Sequence, residues 1–159
     1  MLALELGLAT GGALRALIQR VSEASVEVSG STVGSISKGL LIFVGVTHSD
    51  TKEIAEKLAK KVISIRIFED GSGQMNASSE EVGGEFLVIS QFTLYGNTDR
   101  GRRPSWTAAA RPEQAEPLIA HFIQYLKSSG LKVETGIFQA DMDVKLINEG
   151  PATLMIEMN

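Results

Sequence analysis

Apolar and polar residues alternate with period two over 25–29, where Val26 and Val28 stand against Glu27 and Ser29, the spacing of a half-buried strand. Residues 14–21 read as a short strand before it, Ser29-Gly30-Ser31 as a turn, and 32–36 as the returning strand. Leu40 to Val46 is continuously apolar, which predicts a central strand covered on both faces. Ile54, Leu58, Val62 and Ile65 then recur at spacings of four, four and three, the stripe of a helix. Asp50 is expected to cap it, with Glu53 three residues on completing a capping box. Lys52, Glu56, Lys57, Lys60 and Lys61 fill its other faces and read as solvated surface.

Asp70 to Gly73 is a turn, and 85–94 a second strongly apolar strand. A polar, irregular stretch follows over 96–105. Pro112 at a favoured first-turn position opens a second amphipathic helix to Lys127, with Gly130 beyond its end. Its stripe is Ala115, Leu118, Ile119, Phe122 and Leu126. Two last strands, about 143–147 and 152–158, flank Asn148-Glu149-Gly150-Pro151, a turn signal. The pattern predicts one α+β domain over 14–159: a mainly antiparallel, curled or barrel-like sheet with two amphipathic helices packed on it. Residues 1–13 read as an extra segment outside that core. They lack the basic start of a secretory signal and the arginine richness of a transit peptide.

Composition narrows the chemistry more than the fold. With 159 residues the chain can bury a core without staples, and with no cysteine it has no disulfide, thiolate nucleophile or cysteine zinc site. His48 and His121 are too few and too isolated to suggest a metal cluster, so neither metal nor cofactor is expected. No apolar run reaches the roughly 18 residues that span a bilayer, so no membrane is expected and the location is read as cytoplasmic. A net charge of −4 argues against coating nucleic acid non-specifically, and DNA is not an expected partner. RNA contact would need a local basic patch. Arg100-Gly101-Arg102-Arg103 is the densest one, flanked by Tyr95 and Trp106, and suits phosphates and an unstacked RNA end; an ordinary solvated loop would look the same.

Ser90-Gln91-Phe92-Thr93 gathers hydrogen-bonding side chains at the end of an apolar strand. By itself this fits a strand leaving the core. No base adjoins Thr93 in the sequence, so a lone threonine hydroxyl would be a weak nucleophile. An already activated acyl substrate would need only positioning and stabilisation of an oxyanion, for which backbone N–H groups around Phe92 and Thr93 are suitable donors.

Residues 90–96, Ser-Gln-Phe-Thr-Leu-Tyr-Gly, together with Asn148-x-Gly150-Pro151-Ala152-Thr153, resemble the two motifs of the D-aminoacyl-tRNA deacylases, which proofread mischarged tRNA. The resemblance runs from about Arg15 to the C-terminus and takes in 66–70, Met75-Asn76 and 83–85. It implies that 90–96 lines the pocket for the terminal adenosine and the ester, working through main-chain and RNA groups. It implies a cis Gly150-Pro151 bond that enters a partner subunit's pocket, accepts the substrate α-ammonium and excludes an L side chain while admitting glycine. Arg20 would support that arrangement, and 100–106 would meet the acceptor end of the aminoacylated tRNA. Valine is commoner in the family where this chain has Ala152. A homodimer with two composite sites follows. A catalytically silent tRNA-binding module and a deacylase removing a wrong L-amino acid are the alternatives.

Overall fold

The computed structural model describes residues 13–159. The expected extra segment therefore lies outside the described residues, except for Ala13, which is buried. The order is β1 (Leu14–Val28), β2 (Ser31–Ile36), β3 (Gly39–Gly45), α1 (Lys52–Ser64), β4 (Phe68–Glu69), β5 (Met75–Ala77), the short α2 (Ser79–Val82), β6 (Glu85–Ser90), a 3-10 turn (Phe92–Tyr95), α3 (Pro112–Lys127), β7 (Val133–Thr135) and β8 (Asp143–Met158).

β1 is one long strand where the sequence suggested two. It pairs antiparallel with β2, β3 and β8, while β3–β6 and β6–β7 are parallel. Ser29 (φ 51°) and Gly30 (φ 81°) make the two-residue turn to β2, left-handed at both positions as a tight hairpin requires. β2 leans back on β7: the Ser35 N–H donates to the Glu134 carboxylate at 3.3 Å. The sheet is α+β in setting, mostly antiparallel, and curls almost to a closed barrel.

The continuous apolar runs have two cores to serve. Leu40, Ile42 and Val44 of β3 face α1 and α3, where Ala55, Leu58, Ala59 and Val62 meet Leu118, Phe122 and Leu126. Leu41, Leu87 and Ile89 point the other way, into the curl with Val21, Val26 and Ile36. Each large side chain so enclosed contributes about 1.5–3 kcal/mol. The α3 stripe is the one its spacing predicted; α1 is rotated slightly, burying Ala55, Ala59 and Ile63 in place of Ile54 and Ile65. Thr51, not Asp50, caps α1, its hydroxyl accepting from the Ile54 N–H. Asp50 turns inward, accepting the Thr47 N–H at 2.7 Å, and burial pushes its carboxyl up to about 6. No helix among the described residues is long and apolar enough to cross a membrane.

Candidate functional site

β6 ends earlier than its apolar run suggested. The Gln91 N–H still donates to the Val44 carbonyl at 2.8 Å, and the chain then winds into the 3-10 turn, Leu94 N–H to Gln91 carbonyl and Gly96 N–H to Thr93 carbonyl. The expected strand alternation of residues 91–94 is thus replaced by a turn that exposes Phe92 and Thr93 and buries Tyr95. Its two leading N–H groups, Phe92 and Thr93, precede any internal acceptor, as at every helical start. The Gln91 amide donates to the Thr93 hydroxyl. Among the described residues that is the hydroxyl's one hydrogen bond, and neither histidine reaches it. His48 Nε2 sits 2.7 Å from the Thr107 carbonyl, and His121 Nε2 lies 2.9 Å from Glu56.

Beside the turn lies a cavity of about 570 Å³. Val44, Val46 and Ile89 line it with Ser90, Gln91 and Phe92; Trp106, Ala109 and Ala110 come from the polar loop, and Phe138 and Met142 from the segment before β8. The loop stretch is held on the β3–α1 connection by Thr47 Oγ1, which donates to the Ala108 carbonyl at 2.5 Å. Phe138, Met142 and the alanines carried no local pattern in the sequence that marked them.

Phe92 and Trp106 form an exposed edge-to-face pair, centroids 5.5 Å apart and planes at 72°. Gly96 allows it, because a Cβ there would sit 2.5 Å from the indole. Asn97 and Ser105 exchange backbone hydrogen bonds of 2.8 Å and close the intervening loop, which presents Arg100, Arg102 and Arg103 to solvent. None of the three joins an ion pair among the described residues. Tyr95, expected beside them, instead lies inward.

The Gly-Pro segment is a bulge inside β8, not a turn between two strands. β1 Gln19 pairs with Thr153 and Val21 with Asn148, so residues 149–152 stand opposite Arg20 alone and must loop outward. The Gly150-Pro151 bond is cis, and both residues are exposed while Ala152 is buried. Asn148 Nδ2 donates to the Arg20 and Ala152 carbonyls, at 2.9 and 3.2 Å. Thr153 Oγ1 donates to Asn148 Oδ1 at 3.2 Å, closing the base of the bulge. Arg20 is buried, donating to the Ile67 carbonyl at 2.7 Å and the Gly150 carbonyl at 3.4 Å. It fastens the bulge from beneath. No residue of 148–153 lines the cavity of its own chain. The two motifs are therefore separate within one chain.

The profile of the D-Tyr-tRNA(Tyr) deacylase family matches residues 17–157. The chain is 56% identical over 144 residues to the D-aminoacyl-tRNA deacylase of Chloroflexus aurantiacus, covering 91% of this chain and 90% of the relative. It is 54% identical over 144 residues to that of Desulfatibacillum aliphaticivorans, covering 91% and 99%. Among solved structures, the c-Myc DNA unwinding element binding protein superposes with a TM-score of 0.83 at 34% identity, over 89% of this chain and 97% of the other. A probable eukaryotic D-amino acid tRNA deacylase superposes at 0.82 over 91% and 99%, and at 16% identity it attests the fold alone.

Proposed function

Since the chain belongs to the D-Tyr-tRNA(Tyr) deacylase family and has that family's D-aminoacyl-tRNA hydrolase activity, we propose that the cavity beside Ser90, Gln91, Phe92 and Thr93 is where the ester is cleaved. Water adds to the ester carbonyl carbon, the oxyanion is received by the Phe92 and Thr93 N–H groups, and the bond to the ribose oxygen breaks to release tRNA and free amino acid. The ribose 2′-OH assists the water. Thr93 positions rather than attacks, which its engagement with the Gln91 amide supports. The observation that carries this reading is the 3-10 turn at the cavity wall, which frees two adjacent N–H groups at the end of an otherwise paired strand.

Chirality we assign to a second copy of the chain. The exposed bulge around Gly150 and Pro151 enters the partner's cavity, its carbonyls accept the α-ammonium, and no room remains for an L side chain. Glycyl-tRNA passes. The Arg20 hydrogen bonds and the Asn148–Thr153 contact support a bulge stiff enough for that task. Exposed Ile147 and Met155 on β8 support an apolar contact between copies. The terminal adenosine and acceptor-stem phosphates meet Trp106, Arg100, Arg102 and Arg103.

A deacylation time course on D- and L-tyrosyl-tRNA tests the chemistry. D-tyrosine should be released and L-tyrosine spared, with Thr93→Ala within about tenfold of the unmutated rate. Total loss of turnover in Thr93→Ala with binding intact would establish a threonine nucleophile instead. Replacing Arg102 and Arg103 together by alanine should weaken tRNA binding and flatten its salt dependence, since each lost phosphate contact removes about 0.7–0.9 from the slope. An unchanged slope would return the loop to plain solvated surface.

A further inference from the structure

Two neighbouring strands bear against the turn of the proposed deacylation site. β3 passes beneath the turn at Gly45, where an added Cβ would lie 3.0 Å from Leu94 Cβ, 3.1 Å from the Gln91 carbonyl and 3.3 Å from the Tyr95 ring. The turn therefore rests directly on the sheet. On the adjacent strand Arg15 pairs with Gly45. Its Nη1 donates to the Leu94 carbonyl at 2.8 Å, and its guanidinium lies 4.4 Å over the Tyr95 ring. Across the sheet, Glu157 of β8 faces Arg15 Nε at 3.7 Å.

We infer that Arg15 is a positioning residue of the deacylation site, gripping the end of the turn that carries the Phe92 and Thr93 N–H groups. The inference rests on the reading of that turn as the site. Tyr95 contributes through its ring: it is buried, yet its hydroxyl has no hydrogen-bond partner among the described residues. Stacking on an aromatic face and donating in plane to a carbonyl is a pair of tasks that suits a guanidinium and not an ammonium. With Arg15 removed, the turn keeps its link to β3 through the Gln91 N–H, which donates to the Val44 carbonyl, and loses the hydrogen bond at its far end. The sheet loses little, because the Arg15 backbone pairing with Gly45 and Glu157 is independent of its side chain. Displacing the donors from the oxyanion position then lowers turnover more than binding, which the aromatic and arginine contacts of the loop supply.

The test is single-turnover and steady-state deacylation of D-tyrosyl-tRNA by full-length Arg15→Ala and Arg15→Lys, with thermal melts alongside. Arg15→Ala should lose about tenfold in kcat with KM within about twofold and a melting temperature close to the unmutated one. Arg15→Lys, which keeps a donor for Leu94, should recover part of that loss. Phe92→Pro against Phe92→Ala separates the site from its support. Proline fits the first position of the turn but removes the N–H, so Phe92→Pro should be far slower than Phe92→Ala. If those two turn over alike, the turn is not the site and the inference falls with that reading. If Phe92→Pro is crippled while Arg15→Ala keeps full kcat, or loses it only in step with its melting temperature, the positioning role alone is overturned.

Discussion

Gly150→Leu should leave the melting temperature unchanged and abolish deacylation, with a loss of at least about a hundredfold. The first half follows from one chain: an added Cβ at Gly150 meets nothing within 4 Å, and both Gly150 and Pro151 project from β8. No intramolecular clash can account for a lost activity. The second half needs the cavity of a second copy, where the leucine side chain would take the place kept clear for the substrate's α-carbon. Ala109→Trp, at the cavity wall, should block the pocket in its own chain and leave the bulge intact. Each homodimer should then be inactive, and dimers reassembled from the two variants should regain one working pocket out of two. Half the unmutated rate per mixed dimer is the ceiling. If mixing restores nothing while Gly150→Leu alone is dead, the bulge serves its own subunit. If Gly150→Leu is fully active, the chirality assignment to the Gly-Pro segment fails.

That experiment turns on a feature the sequence concealed. Proline reads as a strand breaker because it cannot donate to a ladder, so Asn148 to Pro151 looked like the end of one strand and the start of another. Only the register against β1 reveals a single strand that throws residues 149–152 out opposite Arg20. β1 likewise runs unbroken through residues 22–24, which the sequence reading left between two strands. By contrast, the α3 stripe, the hairpin at Ser29-Gly30 and the doubly covered β3 were all legible, because each depends on local periodicity or local backbone chemistry. The proposed site was marked in the sequence as a string and not as a shape. Residues 90–93 were singled out, but the strand-to-turn switch at Gln91 depends on the Val44 carbonyl and on Gly45 beneath, which no local pattern encodes. Asp50 failed as a cap for a similar reason: its carboxylate found the Thr47 N–H and left the helix start to Thr51.

Gly39→Ala should be the most destabilising single methyl in the chain's central sheet, costing roughly 3 kcal/mol or more, at the upper end of what overpacking exacts. A Cβ at Gly39 would lie 1.9 Å from the Glu85 carbonyl oxygen, 2.6 Å from its nitrogen and 2.7 Å from its carbonyl carbon. Those are backbone atoms, so no rotamer change relieves the clash. Nor can Glu85 retreat cheaply. It is the register partner of Gly39 in the parallel β3–β6 pair, its N–H donates to the Lys38 carbonyl at 3.0 Å, and the next N–H, of Phe86, donates to Lys132 at 2.9 Å. Moving β6 aside would open both ladders and draw Phe86, which is fully buried, out of the core. It would also drag the strand whose far end leads into the turn proposed as the deacylation site. Gly150→Ala supplies the matched control, since it removes the same glycine flexibility from the unfolded chain and adds the same methyl, but into open space. Urea titrations of the two should differ by that 3 kcal/mol or so in unfolding free energy, with Gly39→Ala at the lower midpoint and Gly150→Ala near the unmutated protein. Equal midpoints would mean that β3 and β6 can separate at Gly39 without cost, and that the turn at the end of β6 is not held by the strand it grows from.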